Sequence, residues 1–345
     1  MRAIIVNTLS RFIRTTWLFS AESGLELPAV NIWIRRIPAT ESAALAEETR
    51  RRNVFARHSW ENSFYLKRAT QLADTTVIEV HRSGTLDEIL PTARRLADMA
   101  EKAALLSSAL SLRRDRTHSA AALSPHRRYG FDLAISPGFR YLRSSERGEV
   151  KPRGIRIDPT FVRRFKRCGF EHLITAAISE GDVGKRLELA VSWLFESRLE
   201  TAPQAAVVKT AIALESLLIA SDNESLRGPL SERSAFLLSD DPGKRRRVSK
   251  GLRAFYDLRS SIVHGGRRRV AVNPTLLEGV DRLVVLLLLT VGANRGSWQL
   301  FSQVVAEIEN RRWGGSETAI QRPFPGSHLT RALNLCEGRS EDGAA

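Results

Sequence analysis

The sequence predicts a mainly α-helical protein, with an N-terminal α+β domain over residues 1–157, a C-terminal helical bundle over 158–312 and an irregular tail over 313–345. Three observations carry this reading. Apolar residues recur at helical spacing through the C-terminal half; runs rich in β-branched and aromatic residues cluster early; and the later connections are short and hold Gly, Pro, Asp or Asn. A chain of 345 residues with 43% hydrophobic composition can bury one or two cores, and two domains fit that length.

Taken in order, the strand-like runs are "AVNIWIRRI" (29–37), "TTVIEVHR" (75–82), "GFDLAIS" (130–136) and "GIRID" (154–158). A long helix lies between the second and third. It starts near Leu86 and continues through "LPTARRLADMAEKAALLSSALSL", with Pro91 in its first turn or at a kink. Residues 113–130 lose apolar periodicity and read as a loop. From Pro159 onward the spacing predicts helices over 160–167, 169–180, 183–199, 203–220, 225–239, 243–264, 275–293 and 297–311. Short links between amphipathic helices imply antiparallel neighbours and hence a bundle.

Lys and Arg together exceed Asp and Glu by 15, and the isoelectric point is near 10.7. Such a field concentrates polyanions, so nucleic acid or an anionic membrane surface is the favoured partner class, against the plainer reading of merely solvated arginines. The charge is concentrated. Residues 244–269, "KRRRVSKGLRAFYDLRSSIVHGGRRR", hold ten Lys or Arg against Asp257 alone. Lys244, Arg245, Arg246, Arg247, Lys250, Arg253, Arg267, Arg268 and Arg269 are the candidate nucleic-acid contacts.

Cys168 and Cys336 lack metal-type spacing, so neither a zinc site nor a disulfide framework is expected, and a reducing cytoplasm fits. The longest apolar run, "VVLLLLTVGA" (284–293), is about half of the ~20 residues a bilayer requires and reads as a buried helix. No membrane partner is expected. The N-terminal "MRAIIVNTLSRFIRTTWLFSA" has no uninterrupted apolar core for secretion and reads as an ordinary first strand or helix.

Laid out at about 100° per residue, the helix over 243–264 groups Leu252, Phe255, Tyr256, Leu258, Ile262 and Val263 on one face, with Arg259 in its middle. The helix over 203–220 places Glu215 among Val207, Val208, Ala211, Ile212, Leu214, Leu218 and Ile219, and on 225–239 Arg233 is bracketed by Leu226, Leu230 and Leu237. A charge on a core-facing stripe must be paired or opened to water. One carboxylate cannot neutralise two arginines. The expectation is that Glu215 and Arg233 form a structural pair, leaving Arg259 for an outside anion; the alternative pairs Glu215 with Arg259 and lets Arg233 reach solvent.

His264 lies about 140° round the helix from Arg259, beside Arg253, Asp257 and Ser260. Gly265 and Gly266 supply a left-handed helix stop, and unpaired carbonyls in the last turn favour an imidazolium there, suited to proton transfer near neutrality. If two copies of this helix meet about a two-fold axis, Arg259 of one approaches His264 of the other, and each chain alone holds half a site. The plain reading of His264 is a helix cap.

The stretch "LRAFYDLRSSIVHGG" resembles the signature of the HEPN superfamily, in its Apea-like branch, where an arginine, a few intervening residues and a histidine end a long helix; here these are Arg259 and His264. "IALESLL" (212–218) and "LSERSAFLL" (230–238) resemble that branch's upstream helices, and the likeness covers residues 183–293. It implies a HEPN-like helical bundle that forms a homodimer. It also implies a metal-independent endoribonuclease without a cofactor, acting on RNA and leaving 2′,3′-cyclic phosphate ends. Arg259 would stabilise charge on the scissile phosphate and His264 would move protons, with Tyr256, Asp257, Ser260, Gly265 and Gly266 in support. Related ribonucleases act as toxins or antiviral defence effectors, sometimes with a neutralising antitoxin. The competing implication is a non-catalytic nucleic-acid-binding, sensing or dimerisation module.

"GDVGKR" (181–186) lacks the spacing of a phosphate loop and a preceding strand. His58, His81, His118, His126, His172 and His328 are scattered without paired ligands, and no Gly-x-Ser-x-Gly nucleophile motif occurs.

Overall fold

The computed structural model describes residues 9–16, 19–52, 76–84, 86–111, 130–136, 139–145, 155–220, 226–264, 270–315 and 318–339. Among them it is mainly helical, with a small sheet in the N-terminal region. Two compact units are separable: the described residues of Met1–Glu101 with Ala120–Val162, and those of Lys102–Ser119 with Arg163–Ala345.

In the first unit, strands β1 (Leu9–Thr15), β3 (Leu25–Leu27), β4 (Ile32–Arg36), β5 (Thr76–Ser83), β6 (Gly130–Ser136) and β7 (Phe139–Ser145) form one antiparallel sheet in the order β3-β4-β5-β1-β6-β7. The register pairs Phe12 with Val80, Ile32 with Val80, Ile34 with Ile78 and Leu25 with Ile34, so these buried side chains share one face. A separate parallel pair joins β2 (Phe19–Ala21) to β8 (Ile155–Ile157). Helix α1 (Ala39–Arg52) follows β4, and α2 (Leu86–Ala109) carries Pro91 within it. Each predicted strand is present, and β1 and β2 fall in the N-terminal stretch that reads as a first strand or helix, whereas β3, β7 and α1 have no counterpart in the sequence reading. The predicted loop over 113–130 lies outside the described residues up to Gly130.

The opposite sheet face holds a polar cluster. The nearly buried Glu79 carboxylate accepts from Arg35 Nε at 2.8 Å and bonds His81 Nε2 at 2.7 Å, while Arg35 grips Glu41 of α1 through two bonds of 2.7 Å. Arg35 thereby ties α1 to the sheet.

The later helices are α3 (Pro159–Arg167), α4 (Phe170–Ala177), α5 (Asp182–Leu199), α6 (Pro203–Leu218), α7 (Arg227–Leu238), α8 (Pro242–His264), α9 (Pro274–Ala293), α10 (Phe301–Arg312) and α11 (Gly326–Cys336). Helix α9 is the axis of the bundle, packed against α4, α5, α6, α7, α8 and α11 and buried throughout Leu277–Gly292. Its start is set by Pro274 and by Asn273, whose Oδ1 accepts from the amides of Thr275 and Leu276 at 3.0 and 3.3 Å. No described helix is long and apolar enough to cross a membrane.

The tail expected to be irregular contains α11. Leu329, Ala332, Leu333 and Leu335 are buried, and the helix reaches its neighbours through two glycines: a Cβ at Gly279 of α9 would stand 2.7 Å from the Cys336 amide, and one at Gly251 of α8 would stand 3.0 Å from Cys336 Cβ. Arg247 of α8 closes the contact, bonding Glu337 at 2.6 and 2.8 Å and Asn334 at 2.9 Å.

Candidate functional site

Helix α8 organises the candidate site. Asp241 caps it, accepting from the Lys244 amide at 2.6 Å, and Pro242 opens it. Four basic residues then occupy the first turns, where the partial positive charge of the helix end makes cations unfavourable by about 0.3–1 kcal/mol each. Two of them are used within the fold. Arg245 donates to the Asp240 carbonyl at 2.5 Å and lies over the Phe236 ring at 4.5 Å, and Arg247 is held by Glu337 and Asn334. These two, expected among the nucleic-acid contacts, anchor α7 and α11 to α8.

The remaining cations face outward. An open groove of about 550 Å³ is lined by Arg227, Arg246, Ser249, Lys250, Arg253, Ala254 and Asp257, with four basic groups against one carboxylate. Asp257 is paired with Arg227 at 2.7 Å, and Arg253 Nε reaches Ser231 Oγ of α7 at 3.4 Å. Ser260 and His264 are exposed farther along α8. Gly265, Gly266, Arg267, Arg268 and Arg269 lie outside the described residues, so the expected glycine stop and the last basic triplet are not part of this geometry.

Arg259 faces another way. Its Nη2 stands 3.6 Å from Glu215 Oε1 of α6, and the buried Nε has no hydrogen-bond partner. Tyr256, nearly buried, donates to Glu215 Oε1 and is equally near the Ala211 carbonyl, both at 3.4 Å. Burial pushes the Glu215 carboxyl above its ordinary range, against the opposing pull of Arg259 and the Tyr256 hydroxyl. Burial, helped by Glu215, pushes the Tyr256 phenol well up.

The partner expected for Glu215 is therefore exchanged: the guanidinium facing it is that of Arg259, not Arg233. The reason lies at the end of α6. Arg233 Nη1 donates to the Leu218 carbonyl at 2.6 Å, and Arg186 Nη1 donates to those of Ile219 and Ser216 at 2.7 and 3.3 Å. Both guanidinium groups lie over the Phe301 ring, at 5.7 and 4.2 Å. The carbonyls and partial negative charge of a helix C-terminus are among the groups that hold Arg233.

The stripes that meet at the Glu215–Arg259 pair are only half buried. Val208, Ile212 and Glu215 follow one line on α6, and Leu258, Arg259, Ile262 and Val263 follow one on α8, where Val263 is 46% exposed. The face expected to enter the core is thus, toward the end of α8, an apolar surface around an ion pair. Within one chain Arg259 and His264 point about 140° apart and do not converge.

Sequence reasoning missed a buried charge network on α5, α6 and α9. Arg198 is fully buried; its Nη1 donates to Glu278 Oε2 at 2.8 Å and Asp281 Oδ2 at 3.3 Å. Arg282 Nε donates to Glu278 Oε1 at 3.2 Å, Thr210 donates to Asp281 Oδ1 at 2.9 Å, and Ser197 joins Thr210 at 2.7 Å. Among the described residues two cations and two carboxylates meet here. In the sequence Arg198 reads as a surface charge in "ESRLE", and nothing local marks it as buried.

His81 belongs to the sheet cluster, and His328 sits 3.9 Å from the buried Cys168 thiol, its pKa lowered to about 4 by burial and by Arg331, Arg167, Arg164 and Arg282. His58, His118 and His126 lie outside the described residues. Among the described residues no three His, Cys, Asp or Glu side chains are grouped to hold a metal. Compared with family models, with curated proteins and with solved structures, the chain matches none.

Proposed function

We propose that the chain is a metal-independent endoribonuclease of HEPN type that works as a homodimer, with Arg259 of one protomer and His264 of the other completing each cleft. The observation that carries this reading is the state of Arg259. It is held by a single long contact to a carboxylate whose charge burial disfavours, keeps a buried N–H unpaired, and sits at the centre of a half-exposed apolar surface. An unpaired buried donor costs about 1–3 kcal/mol, which an incoming phosphate oxygen would recover. A two-fold partner seated on Val208, Ile212, Ile262 and Val263 would cover the apolar stripes and bring the exposed His264 of each chain toward the arginine of the other.

In this arrangement the ribose 2′-oxygen attacks the adjacent phosphorus as its proton leaves, the bond to the 5′-oxygen breaks, and that oxygen is protonated. His264 moves one of these protons and Arg259 stabilises the added phosphoryl charge. The products are a 2′,3′-cyclic phosphate and a 5′-hydroxyl, with no cofactor. A toxin or antiviral effector held by an antitoxin in the cytoplasm is the corresponding biological setting. The second reading, a nucleic-acid-binding module without turnover, is favoured by the divergence of Arg259 and His264 within one chain.

The deciding experiment incubates the purified protein with a panel of unmodified RNAs in EDTA and maps the product ends. Cleavage with cyclic-phosphate ends that His264→Ala abolishes, with binding retained, supports the enzyme. Binding without cleavage across the panel, or a strict monomer in solution scattering, overturns it.

A further inference from the structure

The outer face of α8 carries a pattern separate from the Arg259 stripe. Arg246, Lys250, Arg253, Asp257, Ser260 and His264 recur every three or four residues and therefore lie along one line of the helix. Arg246 and His264 are 18 positions apart, five full turns, so they share the same azimuth about 27 Å from each other. Arg246, Lys250 and Arg253 open onto the groove beside α7, and Lys250 also acts at a distance on Glu337, whose direct contact is with Arg247. The acid in this row, Asp257, is covered by Arg227 from the start of α7 at 2.7 Å, although both side chains are more than half exposed.

An exposed ion pair contributes only about 0–1 kcal/mol to stability, so folding gives little reason for Arg227 to sit there. A polyanion gives one. A bare Asp257 midway between Lys250 and His264 would repel a phosphate chain following the row. We propose that the outer face of α8 is a track for a single strand of RNA whose phosphates lie against Arg246, Lys250 and Arg253 and lead toward His264, and that Arg227 keeps the track open by screening Asp257. The length suits about eight stacked nucleotides at about 3.4 Å each. One row of cations matches one phosphate row, whereas an RNA duplex presents two, on opposite sides of its narrow major groove. Among the described residues the groove lining has no aromatic side chain for base stacking, so recognition there is through phosphates and independent of sequence.

This track rests on the RNA reading above, and its test is kept apart from cleavage by using a fluorescent, fully 2′-O-methylated oligouridine, which cannot form a cyclic phosphate. With three phosphate contacts the single-strand salt slope is about −2, an affinity loss of about twentyfold between 50 and 200 mM salt; Arg246→Ala or Lys250→Ala should reduce that loss to about sevenfold. Arg227→Ala should weaken binding, Asp257→Asn should strengthen it, and the double variant should recover the affinity that Arg227→Ala loses. Failure of Asp257→Asn to rescue would show that Arg227 touches the strand itself and would overturn the screening role. Equal or tighter binding of the matching duplex, or unchanged slopes in both alanine variants with helical content intact, would overturn the track. These outcomes are independent of turnover: a protein that binds through the track yet never cuts RNA keeps this inference and loses the enzyme, and one that cuts with unchanged slopes does the reverse.

Discussion

Replacing Arg198 with methionine keeps most of the side-chain volume but removes the cation that both Glu278 and Asp281 contact inside the bundle. Glu278 would retain Arg282 and Asp281 would retain the Thr210 hydroxyl, so that among the described residues of this site, which is closed to water, the carboxylates would outnumber the cations by one. Breaking a buried pair from one side costs about 3–5 kcal/mol, which at about 2–4 °C per kcal/mol for a unit of this size lowers the unfolding midpoint by roughly 6–20 °C. Asp281→Asn alone removes a charge but keeps the shape, and is expected to cost about 1–3 kcal/mol. The combination of both substitutions restores neutrality, so it should be less destabilised than the sum of its parts. Thermal and urea denaturation followed by circular dichroism measures all three. An Arg198→Met variant within about 1 kcal/mol of wild type, or strict additivity in the pair, would refute the view that charge balance, not packing, governs this cluster.

Two further expectations follow from the same geometry. Because burial raises the Glu215 carboxyl, the native state binds more protons than the unfolded chain between the ordinary and the raised value, and stability falls as pH rises through that window; Glu215→Gln should flatten the decline, and identical pH slopes in denaturation would contradict the assignment. Gly279→Ala drives a methyl group to 2.7 Å from the Cys336 backbone and should cost about 1–3 kcal/mol, more than Gly251→Ala, whose nearest contact is the Cys336 side chain at 3.0 Å; a reversed order in urea midpoints would show that α11 yields more readily than its packing indicates.

Most of the bundle is readable because its helices as far as α9 announce themselves. Pro203, Pro242 and Pro274 stand at first helical positions, and apolar residues keep a 3.6-residue period from Asp182 to Ala293. Helix α1 escaped notice because little of it is apolar: among its side chains that are described, Ser42, Leu45 and Ala46 are the buried ones, and its hold on the sheet is the Arg35–Glu41 pair, which no periodicity encodes. Helix α11 was hidden behind Pro323 and Pro325, which make the approach to it look like the start of a frayed end.

At the site, the helical wheel identified which charges depart from the pattern but not where each finds its counterpart. Glu215, Arg233 and Arg259 were all recognised as misplaced on apolar stripes. Partner choice depended on the end of α6 pointing its last carbonyls at Arg233, a relation between helices that a single-helix projection does not contain. The same limit applies to α8. Ten basic residues in one stretch read as one patch, whereas the packing of α7 and α11 assigns Arg245 and Arg247 to anchoring and leaves Arg246, Lys250 and Arg253 to the groove.

Helix α11 seals the groove between two helices translated well before it, with Cys336 resting on Gly251 and Gly279. A ribosome-bound chain that has already delivered α8 and α9 would still show water the side of both helices that Cys336 later covers. The basic row of α8 would therefore emerge while its supporting helix lacked a backing, and the proposed track would acquire its rigid spacing only once Leu329, Leu333 and Leu335 had docked.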